Sequence, residues 1–124
     1  MPLLKNADLN GSSFFQTSVS INKKPAILKD KAQLYFGAHK LEVIHTPGHT
    51  PGSISLYLGN LLFSGDTIFC NSIGRTDIPL ASCDLLIKAI KERILTLPKE
   101  TIIYPGHGPS TTVEEEIRNN PFLK

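Results

Sequence analysis

Apolar positions follow two different periods along the chain. Residues 40–46, Lys-Leu-Glu-Val-Ile-His-Thr, alternate and predict a strand that Pro47 ends. Residues 53–58 and 61–65 predict two more strands, joined by Gly59-Asn60 as a two-residue hairpin turn. Shorter strands are expected at 26–30, 33–36 and 101–104. Leu86, Ile90, Ile94 and Leu97 recur at helical spacing. They predict a helix over 83–96, with Ser82 as N-cap, Asp84 in the first turn and Pro98 as the stop. A second helix, 113–119, opens with Thr112 and Glu115 at capping-box spacing. Residues 2–9 predict a short, weak helix that accepts Pro2 in its first turn. The stretches 11–24 and 70–81 read as polar loop, with Asn10-Gly11 marking a turn.

These elements predict an α/β (α+β) fold: one mixed or mainly antiparallel sheet with helices on one face. The layering does not close. Leu61-Leu62-Phe63 and Ile102-Ile103-Tyr104 are apolar on both strand faces, as in strands buried from two sides. Two modest helices cover one face, and no other segment is suited to cover the second.

Composition narrows the class. A chain of 124 residues reads as a single domain, 1–124, able to bury about two-thirds of its unfolded surface. Its 13 basic and 11 acidic groups give a net charge of +2, spread without a basic stripe, which argues against a nucleic-acid partner. No apolar run approaches a membrane span, and the first residues lack the pattern of a secretory leader. Cys70 and Cys83 are too few for a disulfide scaffold, so a cytoplasmic setting with buried, structural thiols is expected.

Of the 18 glycines and prolines, eight fall in two short clusters, and each cluster encloses a histidine. His49 lies within Pro47-Gly48-His49-Thr50-Pro51-Gly52, and His107 within Pro105-Gly106-His107-Gly108-Pro109. A metal ligand needs a neutral imidazole held at a fixed angle by a rigid support, and such loops provide one. An exposed turn histidine accounts for His49 equally well. Asp66 follows the apolar strand 61–65 and reads as an Asx turn or as a loop-top ligand. Three ligand-type residues at strand ends favour an N/O metal site over three coincidences. His45 alternates with Leu41 and Val43 and suits packing or orienting a ligand, whereas His39 suits a solvent-facing turn. Arg75 and Asp77 suit a substrate loop or a structural ion pair. Glu114-Glu115-Glu116 reads as a solvated first helical turn. No phosphate-binding glycine loop and no serine-nucleophile motif is present.

Taken in order, His-Thr-Pro-Gly-His-Thr-Pro-Gly (45–52), Phe-Ser-Gly-Asp-Thr (63–67), Ser-Ile-Gly-Arg-Thr-Asp (72–77), Tyr-Pro-Gly-His-Gly-Pro (104–109) and Asn-Pro-Phe-Leu (120–123) resemble metallo-β-lactamase-fold hydrolases. Within that group they look most like the short hydroxyacylglutathione hydrolase (glyoxalase II)-like proteins. The resemblance implies that His49 binds a first metal, Asp66 bridges two metals as the central catalytic carboxylate, and His107 binds the second. The implied cofactor is zinc, two ions in a complete relative, with iron or manganese as alternatives. The implied reaction is thioester hydrolysis on a small-molecule substrate.

The family's His-x-His-x-Asp-His string is absent from this sequence. The resemblance therefore covers the C-terminal half of a four-layer αββα sandwich, which accounts for the uncovered sheet face. Each metal keeps two of its protein ligands. The motif after Asp77 also departs from relatives, with Leu80-Ala81 in place of glycines, and no helical extension follows. Four outcomes remain open at this level. They are an incomplete hydrolase fragment, weak or inactive alone; a site completed by a second copy or a separate N-terminal half, or reduced to one ion; an interaction module using the exposed sheet face; and a persulfide dioxygenase-like protein with one iron.

Overall fold

The computed structural model describes residues 2–124. Eight strands form: β1 (Gln33–Phe36), β2 (His39–His45), β3 (Ile54–Leu58), β4 (Leu61–Gly65), β5 (Ile68–Phe69), β6 (Ser72–Ile73), β7 (Ile102–Pro105) and β8 (Thr111–Thr112). Six make one mixed sheet in the order β1-β2-β3-β4-β7-β8, and β5 pairs with β6 in a separate small hairpin. Every pairing is antiparallel except β4 with β7. This is the mixed α/β architecture expected, and its directions matter: β2, β4 and β7 all run the same way, so their C-terminal ends meet on one edge.

Three helices accompany the sheet: α1 (Pro2–Lys5), α2 (Cys83–Ala89) and α3 (Val113–Asn119). Ser82 caps α2 by accepting the Leu85 N–H, and Thr112 caps α3 by accepting the Glu115 N–H. The Glu115 carboxylate bonds Asn119 instead of reaching back, so only half of the capping box forms. The helix predicted over 83–96 changes pitch to a π turn over Ile90–Ile94. That turn still keeps Leu86, Ile90 and Ile94 fully buried, where they join Ile44, Leu62, Ile68, Ile103 and Val113 in one core. Each such side chain contributes about 1.5–3 kcal/mol by leaving water.

The second face is covered at β2, where Val43 is fully buried, and open over β4 and β7. Val43, Leu56, Phe63 and Tyr104 stand in register across β2, β3, β4 and β7. Phe63 and Tyr104 stack with ring centroids 5.8 Å apart, and both are exposed. No helix among the described residues is long and apolar enough to cross a membrane.

Several expectations are corrected. Residues 26–30 form no strand: Ile27 is exposed, and the Asp30 carboxylate accepts the His45 N–H at the place a strand partner would occupy. The first helix stops at Lys5 because the Asn6 side chain captures the Asp8 and Leu9 N–H groups. The loops 11–24 and 70–81 contain a 3-10 turn (Ser12–Phe15) and β6. Cys83 is exposed at the start of α2, since Leu86 and Ile90 take the core side, and Cys70 is only half-buried. Glu116 is fully buried instead of solvated, for reasons taken up below.

Candidate metal centre

Because β2, β4 and β7 are co-directional, the residues just past them share an edge. His49 lies in the loop after β2, Asp66 directly after β4, and His107 just past the end of β7. His49 Nε2 stands 3.7 Å from Asp66 Oδ2, and His107 Nε2 stands 3.5 Å from Asp66 Oδ1. Each carboxylate oxygen therefore faces one imidazole. Both separations are long for direct hydrogen bonds. Two donors bound about 2.0–2.1 Å from one tetrahedral ion stand about 3.3–3.4 Å apart, and both pairs stand slightly wider than that. Among the described residues no three His, Cys, Asp or Glu side chains enclose a single ion. The arrangement is two pairs with Asp66 common to both.

The surroundings fix these groups unequally. His49 Nδ1 lies 2.9 Å from the Arg75 carbonyl oxygen, which can only accept. Nδ1 therefore carries the proton, and the Nε2 lone pair is left toward Asp66. The far end of the His49 loop is braced by the His45 ring, whose Nε2 donates to the Pro51 carbonyl at 3.0 Å. His45 is itself exposed, so its place in the fold is that brace and not core packing. Beneath the loop, Thr46 Oγ1 lies 3.0 Å from Ser55 Oγ and 3.3 Å from Thr67 Oγ1, a buried hydroxyl chain that joins the His49 and Asp66 loops. The threonines adjoining His45 and Asp66 were the sequence signal for it.

His107 has fewer restraints. Its loop is tied to the Asp66 turn by the Gly106 N–H donating to the Gly65 carbonyl at 2.8 Å. Its ring meets the edge of Phe69 at a centroid separation of 5.9 Å. Glycine is required on two sides of Asp66: a Cβ on Gly106 would overlap its Oδ1, and one on Gly74 would overlap its carbonyl oxygen.

Arg75 and Asp77 form a bidentate ion pair at 2.7 and 2.9 Å, both largely exposed. The Arg75 hydrogen bond and charge hold the Asp77 carboxyl down at about 2. Their side chains do not reach Asp66 in this arrangement. They line a cleft of about 340 Å³ together with Asp8, Phe14, Phe15 and Pro79. His39 is exposed and apart from the site.

Residues 2–107 match the family model described as the Metallo-beta-lactamase superfamily. The chain is 41% identical to the probable metallo-hydrolase YqgX of Bacillus subtilis (strain 168), over 97% of this chain and 58% of that protein. It is 44% identical to the hydroxyacylglutathione hydrolase GloC of Haemophilus influenzae, over 66% of this chain and 40% of that protein. Among solved structures, the BLEG-1 B3 metallo-beta-lactamase superposes with a TM-score of 0.87 at 43% identity, covering 97% of this chain and 59% of that one. TTHA1623 in a di-iron-bound form superposes at 0.81 with 40% identity, covering 98% of this chain and 60% of that one. The chain thus spans about half the length of the curated relatives it matches. With its strand-end histidines, its shared carboxylate and this match over most of its length, the chain belongs to the metallo-beta-lactamase superfamily.

Proposed function

We infer that this chain carries one wall of a two-ion centre in a metal-dependent hydrolase acting on thioesters of the hydroxyacylglutathione kind. The observation that carries the reading is the pairing of each Asp66 oxygen with a different imidazole Nε2 at 3.5 and 3.7 Å. His49 and Asp66 would hold one ion, and Asp66 and His107 the other. When bound, two such ions lower the pKa of a water between them and polarise a carbonyl oxygen. The Arg75 carbonyl keeps the proton on His49 Nδ1, so the Nε2 lone pair stays available. Asp66 supplies negative charge to both positions. Phe14 and Phe15 offer apolar walls for the substrate in the cleft beside the Arg75 loop. Zinc suits this N/O donor set, with iron as its rival; the GloC relationship supports the thioester class.

The chain gives each ion two donors, one fewer than the three that catalytic zinc sites use. The remaining donors would come from a second polypeptide segment laid on the open sheet face, so the chain alone should turn over slowly or not at all. Metal content after purification without strong chelators, with S-lactoylglutathione hydrolysis measured alongside, tests this. Bound zinc with weak or no turnover is expected. A chain that retains no divalent metal at all, or that takes one iron and consumes oxygen, would overturn it.

A second reading rests on the stacked Phe63 and Tyr104, which lie open on the sheet. Such a face suits association with another sheet or a second copy. A chain that stays monomeric at high concentration and binds no apolar dye would remove it.

A further inference from the structure

Glu116 is the most deeply placed carboxylate in the structure described, and no cation neutralises it. Its side chain is fully buried on α3 and meets only neutral donors. Thr111 Oγ1 donates to Oε1 at 2.6 Å, Asn120 Nδ2 donates to Oε2 at 2.6 Å, and the Asn71 N–H lies 3.1 Å from both oxygens. Asn120 Nδ2 also donates to the Ser72 carbonyl, and its Oδ1 accepts the Phe122 N–H. Two of its three partners require an acceptor, while the Thr111 hydroxyl can donate or accept. Asn71 offers a backbone N–H, and the Asn120 amide is oriented by Phe122, so neither can become an acceptor.

Asn71 sits at the tip of the β5–β6 hairpin, whose ladder is just two residue pairs, Ile68–Ile73 and Phe69–Ser72. A hairpin that short does not hold its own shape. Its tip also takes a left-handed backbone at Asn71, φ 55°, without a glycine to favour it. The carboxylate on α3 is what meets that tip. The same hairpin adjoins all three residues of the candidate centre. Asp66 lies two residues before β5; the Phe69 ring meets His107; and Gly74-Arg75, just after β6, lie against Asp66 and His49.

We propose that Glu116 is the positioning residue of the site, fixing through the β5–β6 hairpin the orientation of both imidazoles about Asp66. It touches no substrate and no ion. Its effect passes through Asn71 to Phe69 on one strand and to Arg75 on the other.

The test compares Glu116→Gln with Ile94→Val, a core-thinning change on the turn after α2, by NMR of the histidine rings in the metal-free chain. Glutamine keeps the shape but has a single acceptor oxygen for Asn71 and Asn120, and its NH2 group, turned to the Thr111 hydroxyl, stands against the Asn71 N–H that both carboxylate oxygens share. The expected result is that Glu116→Gln removes the Phe69-induced shift of the His107 ring protons and the fixed Nδ1–H of His49, while Ile94→Val moves neither. Zinc affinity by chelator competition should then fall about 10- to 100-fold in Glu116→Gln alone, the usual loss when a group that orients ligands is changed. If Glu116→Gln does not fold, Thr111→Val removes one donor and should shift the same signals less far. Ring signals that move no more in Glu116→Gln than in Ile94→Val, or that stay fixed in Thr111→Val when Glu116→Gln is unfolded, would overturn the proposal. The zinc arm rests on the metal-centre reading and the ring signals do not. A wild-type chain that ignores zinc would defeat that reading, and the ring signals alone would then decide the role of Glu116.

Discussion

The His49 and His107 loops are near repeats in sequence, each a Pro-Gly-His at a strand end, yet the fold treats them differently. The His49 side chain is 18% exposed and its loop is held from four sides: the Arg75 carbonyl, the His45 ring on Pro51, the buried Thr46 hydroxyl, and the Ser82 N–H donating to Gly48. His107 is 78% exposed, with a ring edge and one backbone hydrogen bond on its loop. The same local chemistry thus yields one imidazole braced from several sides and one held by a single ring contact. Preorganisation lowers the ordering cost of binding, so the two positions should differ in affinity for a cation.

The largest effect on that contrast should come from Asp66, the group both loops address. Asp66→Ala should abolish zinc binding at both positions, as read by metal content after dialysis. Next, His49→Ala should weaken zinc binding more than His107→Ala does. A gap of about tenfold, some 1.4 kcal/mol, would separate a braced ligand from a loose one in a competition titration. Equal losses would show that the bracing does not matter to the ion. Gly106→Ala should displace the Asp66 carboxylate and cost about 1–3 kcal/mol in urea unfolding, the usual range for overpacking. Loss of metal affinity should accompany it.

A smaller effect concerns the Arg75–Asp77 pair beside His49. Asp77 has its pKa depressed to about 2, so the pair's contribution is complete above the ordinary aspartate value and fades as pH falls through about 2. Being exposed, the pair is also screened by salt. Asp77→Asn should therefore cost a little stability at neutral pH, and by that same small amount flatten the acid limb between about pH 4 and 2. Cys70→Ala should do least, leaving zinc affinity as it is.

Much of this was legible in the chain. The strand ends at His45, Gly65 and Pro105 were marked by Pro and Gly, because those residues act on their own backbone wherever they stand. Helix α3 was bounded correctly by a threonine whose cap is a contact over three residues. What escaped depends on distance. Glu114, Glu115 and Glu116 look alike in sequence, and the buried one is set apart by Thr111 and Asn120 nearby and by the return of Asn71, 45 residues earlier in the chain. The β5–β6 hairpin has too few residues for a period to show. The buried-thiol expectation failed at Cys83 for a similar reason: which side of α2 faces the sheet is decided by Leu86 and Ile90, not by the cysteine.

Titration of the intact chain with zinc, followed through the ring resonances of His49 and His107, tests the central claim most directly. The shared-carboxylate account predicts that both rings respond in the native chain and that neither responds in Asp66→Ala. Zinc that leaves both rings unperturbed, or that shifts them equally without the Asp66 carboxylate, would contradict it.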